Sequence, residues 1–493
     1  MGIIEKQATK NVIYSYLGAF LGFITIIFSS HALSPDENGL TRILLSLSIL
    51  MAQFAGLGFN TVTIRLFPYF RDHDKGHHGY LFYGILVTLA GFSLCVIFYF
   101  LTKDYLIESN QEKSKLFVDY THYLLPLTLF TLFFNLFDYY LRACYNSVIG
   151  SSSKEFFQRI VILIVLAAFF FKWIDFSAFV LLYVAAVCFP TLILLYYIIK
   201  LKEWHIKPVR GFVSKELRKE IIKLSLYSIL AGGAGILISN IDIIMVNQKL
   251  GLAQAGIYGI AFYFGTIIII PSRSLLRIAM SVVSEAFKKD DIKEIYSIYN
   301  KSCNTQLTIG LLLFIGIWGN IDNIMQLLPP EYRGGENVIL FISLGYLVDM
   351  ATGINYVIVL TSKYYRYDTY FMLIVLTLTI VTNYILIPLY GITGSAIATA
   401  ITISFYNILR WLFLYYKFKM QPYDLNTIKL LLIGVVSFLP AYFIPATGIL
   451  FLDLAIKSSI IGGLFILLIL KMEAAPDINA KIRKNLLRFH IKL

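Results

Sequence analysis

Charge is what this sequence has least of: Asp, Glu, Lys and Arg make up 14% of 493 residues, against about 25% in an average soluble domain. A water-soluble fold cannot cover itself with so few, and disorder is excluded by the opposite excess, since a disordered chain is poor in apolar residues. Cysteine is scarce too. The four present, Cys95, Cys144, Cys188 and Cys303, all lie within or beside apolar runs, so there is no disulfide scaffold and the redox compartment is unreadable from them. No heptad tract supports a coiled coil. Phosphate-loop chemistry is missing as well: Gly150–Lys154 (GSSSK) lacks the Walker spacing. The glycine-rich Ala231–Gly235 (AGGAG) sits inside an apolar run with no strand before it, where small residues serve close helix packing.

What the chain has in abundance is apolar sequence. At 58% of 493 residues, and with about 20 residues per membrane-spanning helix, the hydrophobic content suffices for about fourteen spans. Runs long enough to cross fall near 11–33, 41–64, 80–101, 117–141, 157–174, 177–199, 223–247, 252–271, 303–319, 337–360, 369–389, 392–414, 428–445 and 449–470. An all-α polytopic membrane protein is the predicted class, because helices satisfy their own backbone polar groups in lipid. The first run exceeds the 7–15 residues of a signal-peptide core and no A-x-A site follows, so it reads as a signal anchor.

Forty-two Lys and Arg against 29 Asp and Glu leave a net charge of +13. In a soluble protein this would suggest nucleic acid; here its distribution decides. Fourteen spans assign the loops alternately, and only Arg42, Lys103, Lys113, Lys115, Lys172, Lys249, Arg333 and Lys457 fall on one side, leaving the remaining 34 basic residues on the side of the termini. By the positive-inside rule both termini are expected in the cytoplasm, with membrane lipids rather than nucleic acid as partners. The outward loops are short, the longest being Thr102–Leu116 and Gly319–Glu336, which leaves no room for a folded extramembrane domain. Ser284–Tyr299 reads as an amphipathic helix lying in the interface.

An internal repeat is visible between the first and seventh spans, where Tyr14, Ser15, Leu17 and Gly22 match Tyr227, Ser228, Leu230 and Gly235; LRACY after the fourth span echoes LTSKY after the tenth. Six spans per repeat keep the same topology, giving two pseudo-symmetric six-helix lobes. The expected organisation is 1–200 for the first lobe, 201–222 for a cytoplasmic linker, 223–418 for the second lobe, and 419–493 for helices thirteen and fourteen with a basic tail.

Polar groups within spans are the candidate functional residues, since an ionisable side chain near mid-bilayer is costly, about 2.5–3.5 kcal/mol on insertion scales, and usually faces a cavity. Asp349 is the deepest, about twelve residues from each end of the tenth span. Asn240 and Asp242 sit in the seventh. Asp138 lies one turn before Arg142 in the fourth, an i, i+4 pair that can neutralise itself or line a cavity. Lys457 in the fourteenth span reads as a snorkelling side chain. Asn60 and Arg65 end the second span, and Arg273 and Arg277 follow Pro271 after the eighth. These arginines are either ordinary anchors at helix ends or a cationic mouth for an anionic headgroup, which guanidinium grips bidentately. Asp72, His73, Asp74, His77 and His78 are metal-ligand types, but on a short loop without helical i, i+4 spacing they read as solvated, and no metal site is expected.

The chain resembles the prokaryotic polysaccharide transporter branch of the MATE-like flippase superfamily, the O-antigen and capsule repeat-unit flippases. The motifs that carry this are LSPDENG (Leu33–Gly39), FAGLGFNTVTIR (Phe54–Arg65), NIDIIMVNQKLGLAQAGIYGIAF (Asn240–Phe262), LLPPEYRGG (Leu327–Gly335) and YGITGSAIATAI (Tyr390–Ile401). The resemblance implies alternating access by two six-helix lobes that move an undecaprenyl-pyrophosphate-linked oligosaccharide from the inner to the outer leaflet of the bacterial cytoplasmic membrane. It also implies work alongside glycosyltransferases and a polysaccharide polymerase, with no cofactor beyond a coupling H+ or Na+. Asp242 matches the Ile-Asp pair common in the family, whereas Asp349 is not carried over from the resemblance. The first span lacks the acidic residue of many drug-extruding relatives, and the first two lack the charged cluster of lipid II flippases. The alternative on the same fold is a cation-coupled antiporter for small amphipathic molecules, which requires mid-cavity acids such as Asp242 and Asp349. A glycan polymerase or ligase, an enzyme, would need a large outward loop that is missing.

Overall fold

In the computed structural model, residues 3–209, 211–444 and 447–488 are described. Arg210 of the expected linker, residue 445 at the end of the expected thirteenth span and residues 489–493 of the basic tail lie outside them. The described residues are helical almost throughout and contain no strand. They divide into two compact units, Met1–Gly259 and Ile260–Leu493.

The first unit carries α1 (Ile3–Ala32), α2 (Pro35–Ala55), α3 (Phe59–Phe70), α4 (Tyr80–Asn110), α5 (Lys115–Tyr120), α6 (Leu124–Ala143), α7 (Ser147–Ser152), α8 (Gln158–Phe170), α9 (Phe176–Lys200), α10 (Lys215–Leu250) and most of α11 (Leu252–Thr266). The LSPDENG motif starts α2. Ser34 accepts from the Glu37 N–H at 3.3 Å while the Glu37 carboxylate accepts the Ser34 N–H at 2.8 Å, and Pro35 opens the first turn. Its Gly39 packs on α11 so closely that a Cβ would lie 2.1 Å from the Leu252 carbonyl oxygen, and Gly256 meets the Pro35 carbonyl in the same way at 2.0 Å. Two family motifs therefore form one small-residue helix crossing.

The second expected span, 41–64, is not one helix. Leu57 and Gly58 adopt left-handed φ values of 48° and 71°, which end α2 and start α3 in a new direction. Gly58 is required there, because a Cβ would sit 2.4 Å from the Ser225 carbonyl oxygen of α10. The unit's core gathers Val62, Phe67, Tyr80, Phe137, Tyr140 and Ile198. Large apolar residues of α4, such as Leu94, Ile97, Phe98 and Leu101, face outward, as a lipid-bathed surface demands. α10 begins at Lys215 with Ser214 accepting the Leu217 N–H at 3.1 Å, so 215–222 are its opening turns.

The second unit holds α12 (Ile270–Lys288), α13 (Ile292–Gly319), α14 (Ile321–Gln326), α15 (Glu336–Ala351), α16 (Asn355–Thr361), α17 (Arg366–Phe418), α18 (Leu425–Phe438), α19 (Pro440–Phe443), α20 (Leu450–Met472) and α21 (Pro476–Arg488). Ser284–Tyr299 does not form the expected interfacial helix. Asp290, at φ 55°, turns the chain, and Asp291 caps α13 by accepting the Glu294 N–H at 2.9 Å. The segment joins α12 and α13 as a helical hairpin whose Val283, Ile295 and Tyr299 are fully buried.

Eleven helices among the described residues are long and apolar enough to cross a membrane, or twelve when the bent pair α15 and α16, inclined at 55°, counts as one. This count does not confirm the fourteen expected from the sequence, because it takes two expected crossings as one helix and leaves out a third. The expected spans 369–389 and 392–414 are arms of α17, folded at Gly391 with φ 59° and tied back by Ser395 donating to Asn383 at 2.8 Å. The expected span 157–174 holds α8, which continues α7 through a π-helical turn at Ser153–Phe157 and ends before left-handed Lys172. The chain is a multi-pass membrane protein.

Candidate functional site

In the first unit, α6 buries Asp138, whose Oδ2 accepts from Arg142 Nη2 at 2.7 Å. Its Oδ1 turns toward Gly150, where an added Cβ would stand 1.8 Å away, and Lys154 supplies a second nearby positive charge. Asp138 and Arg142 thus make the self-neutralising pair that their spacing allows. On α10, Asp242 is buried and accepts from the Tyr258 hydroxyl of α11 at 3.4 Å. Asn240 donates back to the Ile236 carbonyl at 2.9 Å, a bond within its own helix. Asn60 is half-buried in the first turn of α3; beside it the Thr61 hydroxyl bonds the Ser228 hydroxyl of α10. Arg65 is exposed further along α3. In the second unit, Arg273 and Arg277 are exposed one turn apart on α12.

Asp349 is the expected residue with the richest surroundings. It lies near the end of α15 and its Oδ1 accepts from Asn407 Nδ2 at 2.7 Å. The Asn407 Oδ1 in turn accepts from the Thr352 hydroxyl at 2.8 Å and from Asn355 Nδ2 at 3.0 Å, which ties both halves of the bent pair to α17. One turn on, Arg410 donates from Nε to Asp368 Oδ1 at 2.9 Å, with both side chains only 7% exposed. Its guanidinium carbon stands 3.5 Å from the Tyr406 ring centre and 4.8 Å from that of Tyr356. Asp349 and Asp368 thus both act on Arg410, so with both carboxylates ionised the cluster holds one negative charge in excess. Sequence reasoning missed Asp368, Asn407 and Arg410. The signal was there, since Arg410 lies within the apolar run 392–414 and a buried membrane charge needs a partner.

The loop between α3 and α4 differs from its expected solvated state. His77 is 3% exposed and its Nε2 stands 2.8 Å from Glu203 Oε2. His73 and Asp74 stay exposed. Outside the spans, the loop carboxyl of Asp72 is held below the usual carboxylate range, chiefly because it accepts the Lys75 backbone N–H.

A family model described as polysaccharide biosynthesis protein matches residues 6–284. No curated protein sequence matches the chain. Among solved structures, the lipid II flippase MurJ in an inward closed conformation is similar with a TM-score of 0.73 at 15% identity, over 93% of this chain and 97% of MurJ. An inward-facing multidrug resistance MATE family transporter of the MOP superfamily gives 0.63 at 13% identity, over 84% and 98%. A MOP superfamily transporter from Pyrococcus furiosus, described as having a binding pocket of reverse polarity, gives 0.59 at 14% identity, over 84% and 96%. Such identities speak for the fold, which is that of MurJ and MATE transporters. The glycine crossing of α2 and α11, the break at Gly58 and the buried Asp242 all lie in the stretch that the family model matches, and this chain belongs to the polysaccharide biosynthesis protein family.

Proposed function

We propose that the protein is a flippase that moves undecaprenyl-pyrophosphate-linked oligosaccharide from the inner to the outer leaflet of the bacterial cytoplasmic membrane by alternating access. The observation that carries this reading is the family match in polysaccharide biosynthesis joined to exposed guanidinium groups at Arg65, Arg273 and Arg277. A pyrophosphate entering a low-dielectric region is costly unless cations accompany it, and the planar fork of Arg binds phosphate oxygens in a way that Lys reproduces poorly. The name of the lipid II flippase supports a lipid-linked substrate. The reading keeps two six-helix lobes, cytoplasmic termini, and glycosyltransferases and a polymerase as working partners; it assigns no catalytic step to the chain.

The test is the sidedness of lipid-linked glycan in vesicles. Arg65→Ala, or Ala at both Arg273 and Arg277, is expected to leave repeat units on the cytoplasmic leaflet at normal protein abundance, with Arg→Lys giving partial rescue. Unchanged glycan flipping together with abolished efflux of a cationic dye would reject it.

One observation favours cation coupling, whether for flipping or for antiport: the unbalanced carboxylate of the Asp349, Asp368 and Arg410 cluster. A proton or Na+ at Asp349 neutralises it, and the oxygens of Asn407 and Thr352 lie in the same hydrogen-bonded group.

A further inference from the structure

Between α3 and α4 the chain holds four successive left-handed residues, Gly76, His77, His78 and Gly79, with φ of 57°, 49°, 51° and 73°. Glycine adopts this region freely, but a side chain there is strained, so two adjacent histidines held in it mark a geometry that the surroundings impose. The loop is pressed onto the segment after α9. A Cβ on Gly79 would lie 2.4 Å from the Lys207 carbonyl oxygen, and one on Gly76 would lie 3.0 Å from His205 Cγ. The strained turn thereby aims His77 at Glu203, while the end of α6 brings Cys144 to the same point. The ligand atoms of His77, Cys144 and Glu203 all lie within 4.8 Å of one another. Two further imidazoles surround them. The His205 ring centre is 5.9 Å from that of His77 and 6.1 Å from that of His73, and His73 Nε2 is 4.0 Å from Glu203 Oε1. His205 Nε2 is buried without a hydrogen-bond partner, a state that a bound ion relieves. Glu203 is itself fixed, because the Tyr140 hydroxyl donates to its backbone carbonyl at 3.0 Å.

We propose that His77, Cys144, Glu203 and His205 bind one Zn2+ ion, with His73 at the rim. Nitrogen, thiolate and carboxylate ligands together suit zinc. Bond lengths of about 2.0–2.3 Å place tetrahedral ligand atoms roughly 3.3–3.8 Å apart and two imidazole centres about 5 Å apart. Within the trio His77 and Glu203 stand 2.8 Å apart and every ligand atom lies within 4.8 Å of the others, so adjustments of about 1 Å suffice there, while His205, outside the trio, closes in from a ring separation of 5.9 Å to His77. The proton changes balance. Cys144 releases its thiol proton to solvent. His77, whose Nδ1 now accepts the Asp72 N–H at 3.2 Å, moves its Nε2 proton to Nδ1; the metal bond replaces the 2.8 Å bond from Nε2 to Glu203, and the imidazole turns so that Nδ1–H no longer faces the Asp72 N–H. Thiolate and carboxylate neutralise the ion. The zinc joins the loop after α3, the end of α6 and the chain leading into α10, three parts of the first unit that already pack in one core.

The full-length protein, purified without a histidine tag and stripped with chelator, is titrated with Co2+ as a spectroscopic substitute and analysed for zinc after dialysis. One equivalent per chain and a thiolate-to-cobalt charge-transfer band are expected. The band should vanish in Cys144→Ser and persist in Cys95→Ser, and zinc affinity should fall at least tenfold in His205→Asn. A stripped wild-type protein that gives no such band overturns the proposal whatever the variants do. So does a band that survives Cys144→Ser, or zinc retention unchanged in both ligand variants.

Discussion

Replacing Asp368 by Asn tests whether the second unit depends on its buried ion pair. The partners are 2.9 Å apart and both 7% exposed, so at an effective dielectric of about 20 their Coulomb attraction is about 6 kcal/mol, much of it offset by desolvation. Breaking such a pair costs about 3–5 kcal/mol, because the surviving charge stays buried. Asp349 remains near Arg410 as a residual counter-charge, which places Asp368→Asn at the lower end, about 3 kcal/mol. Arg410→Met leaves two carboxylates without a cation and removes a guanidinium packed over Tyr406 and Tyr356, so it should lose more. The double variant removes both charges of the pair and should be milder than the sum of the singles by about 2–4 kcal/mol. Thermal unfolding of the purified protein in detergent reads this directly: on the scale of a domain of this size, Asp368→Asn lowers the midpoint by roughly 6–12 °C. Singles that add to the double within about 0.5 kcal/mol would refute the coupling and make the pair an incidental contact.

Asp349→Asn should impair export while leaving insertion and abundance intact, as measured by surface glycan and by immunoblot; normal export would return Asp349 to a structural role. Gly150→Ala drives a methyl group into Asp138 Oδ1 and should destabilise the protein by about 1–3 kcal/mol, read as a lowered unfolding midpoint, with an unchanged midpoint counting against the tight Asp138 site. A reporter active only in the cytoplasm should light up in the loop around Val209, which is exposed; silence there would overturn the proposed orientation.

The segments were legible because a bilayer imposes one strong rule on sequence, a run of about 20 apolar residues per crossing. Where the rule was too coarse, local backbone chemistry intervened. Runs of apolar residues conceal a left-handed break at Gly58 and a fold-back at Gly391, because hydropathy averages over residues that individually leave the helix. Asp138 with Arg142 was readable from i, i+4 spacing, which a helix converts into contact without help from the rest of the fold. Asp368 and Arg410, 42 residues apart, have no such spacing, and only the fold-back of α17 joins them.

What the sequence by itself determined is the all-helical membrane class, the approximate positions of the crossings and the family, since these rest on composition, on runs and on short motifs that local chemistry interprets. Tertiary structure alone decided which polar residues meet. Asp349 finds Asn407, and His77 finds Glu203 and Cys144, across separations in sequence that carry no periodic signal. The physical reason is that a buried charge or imidazole must find its partner wherever packing brings one, and packing is a property of the whole chain rather than of any stretch of it.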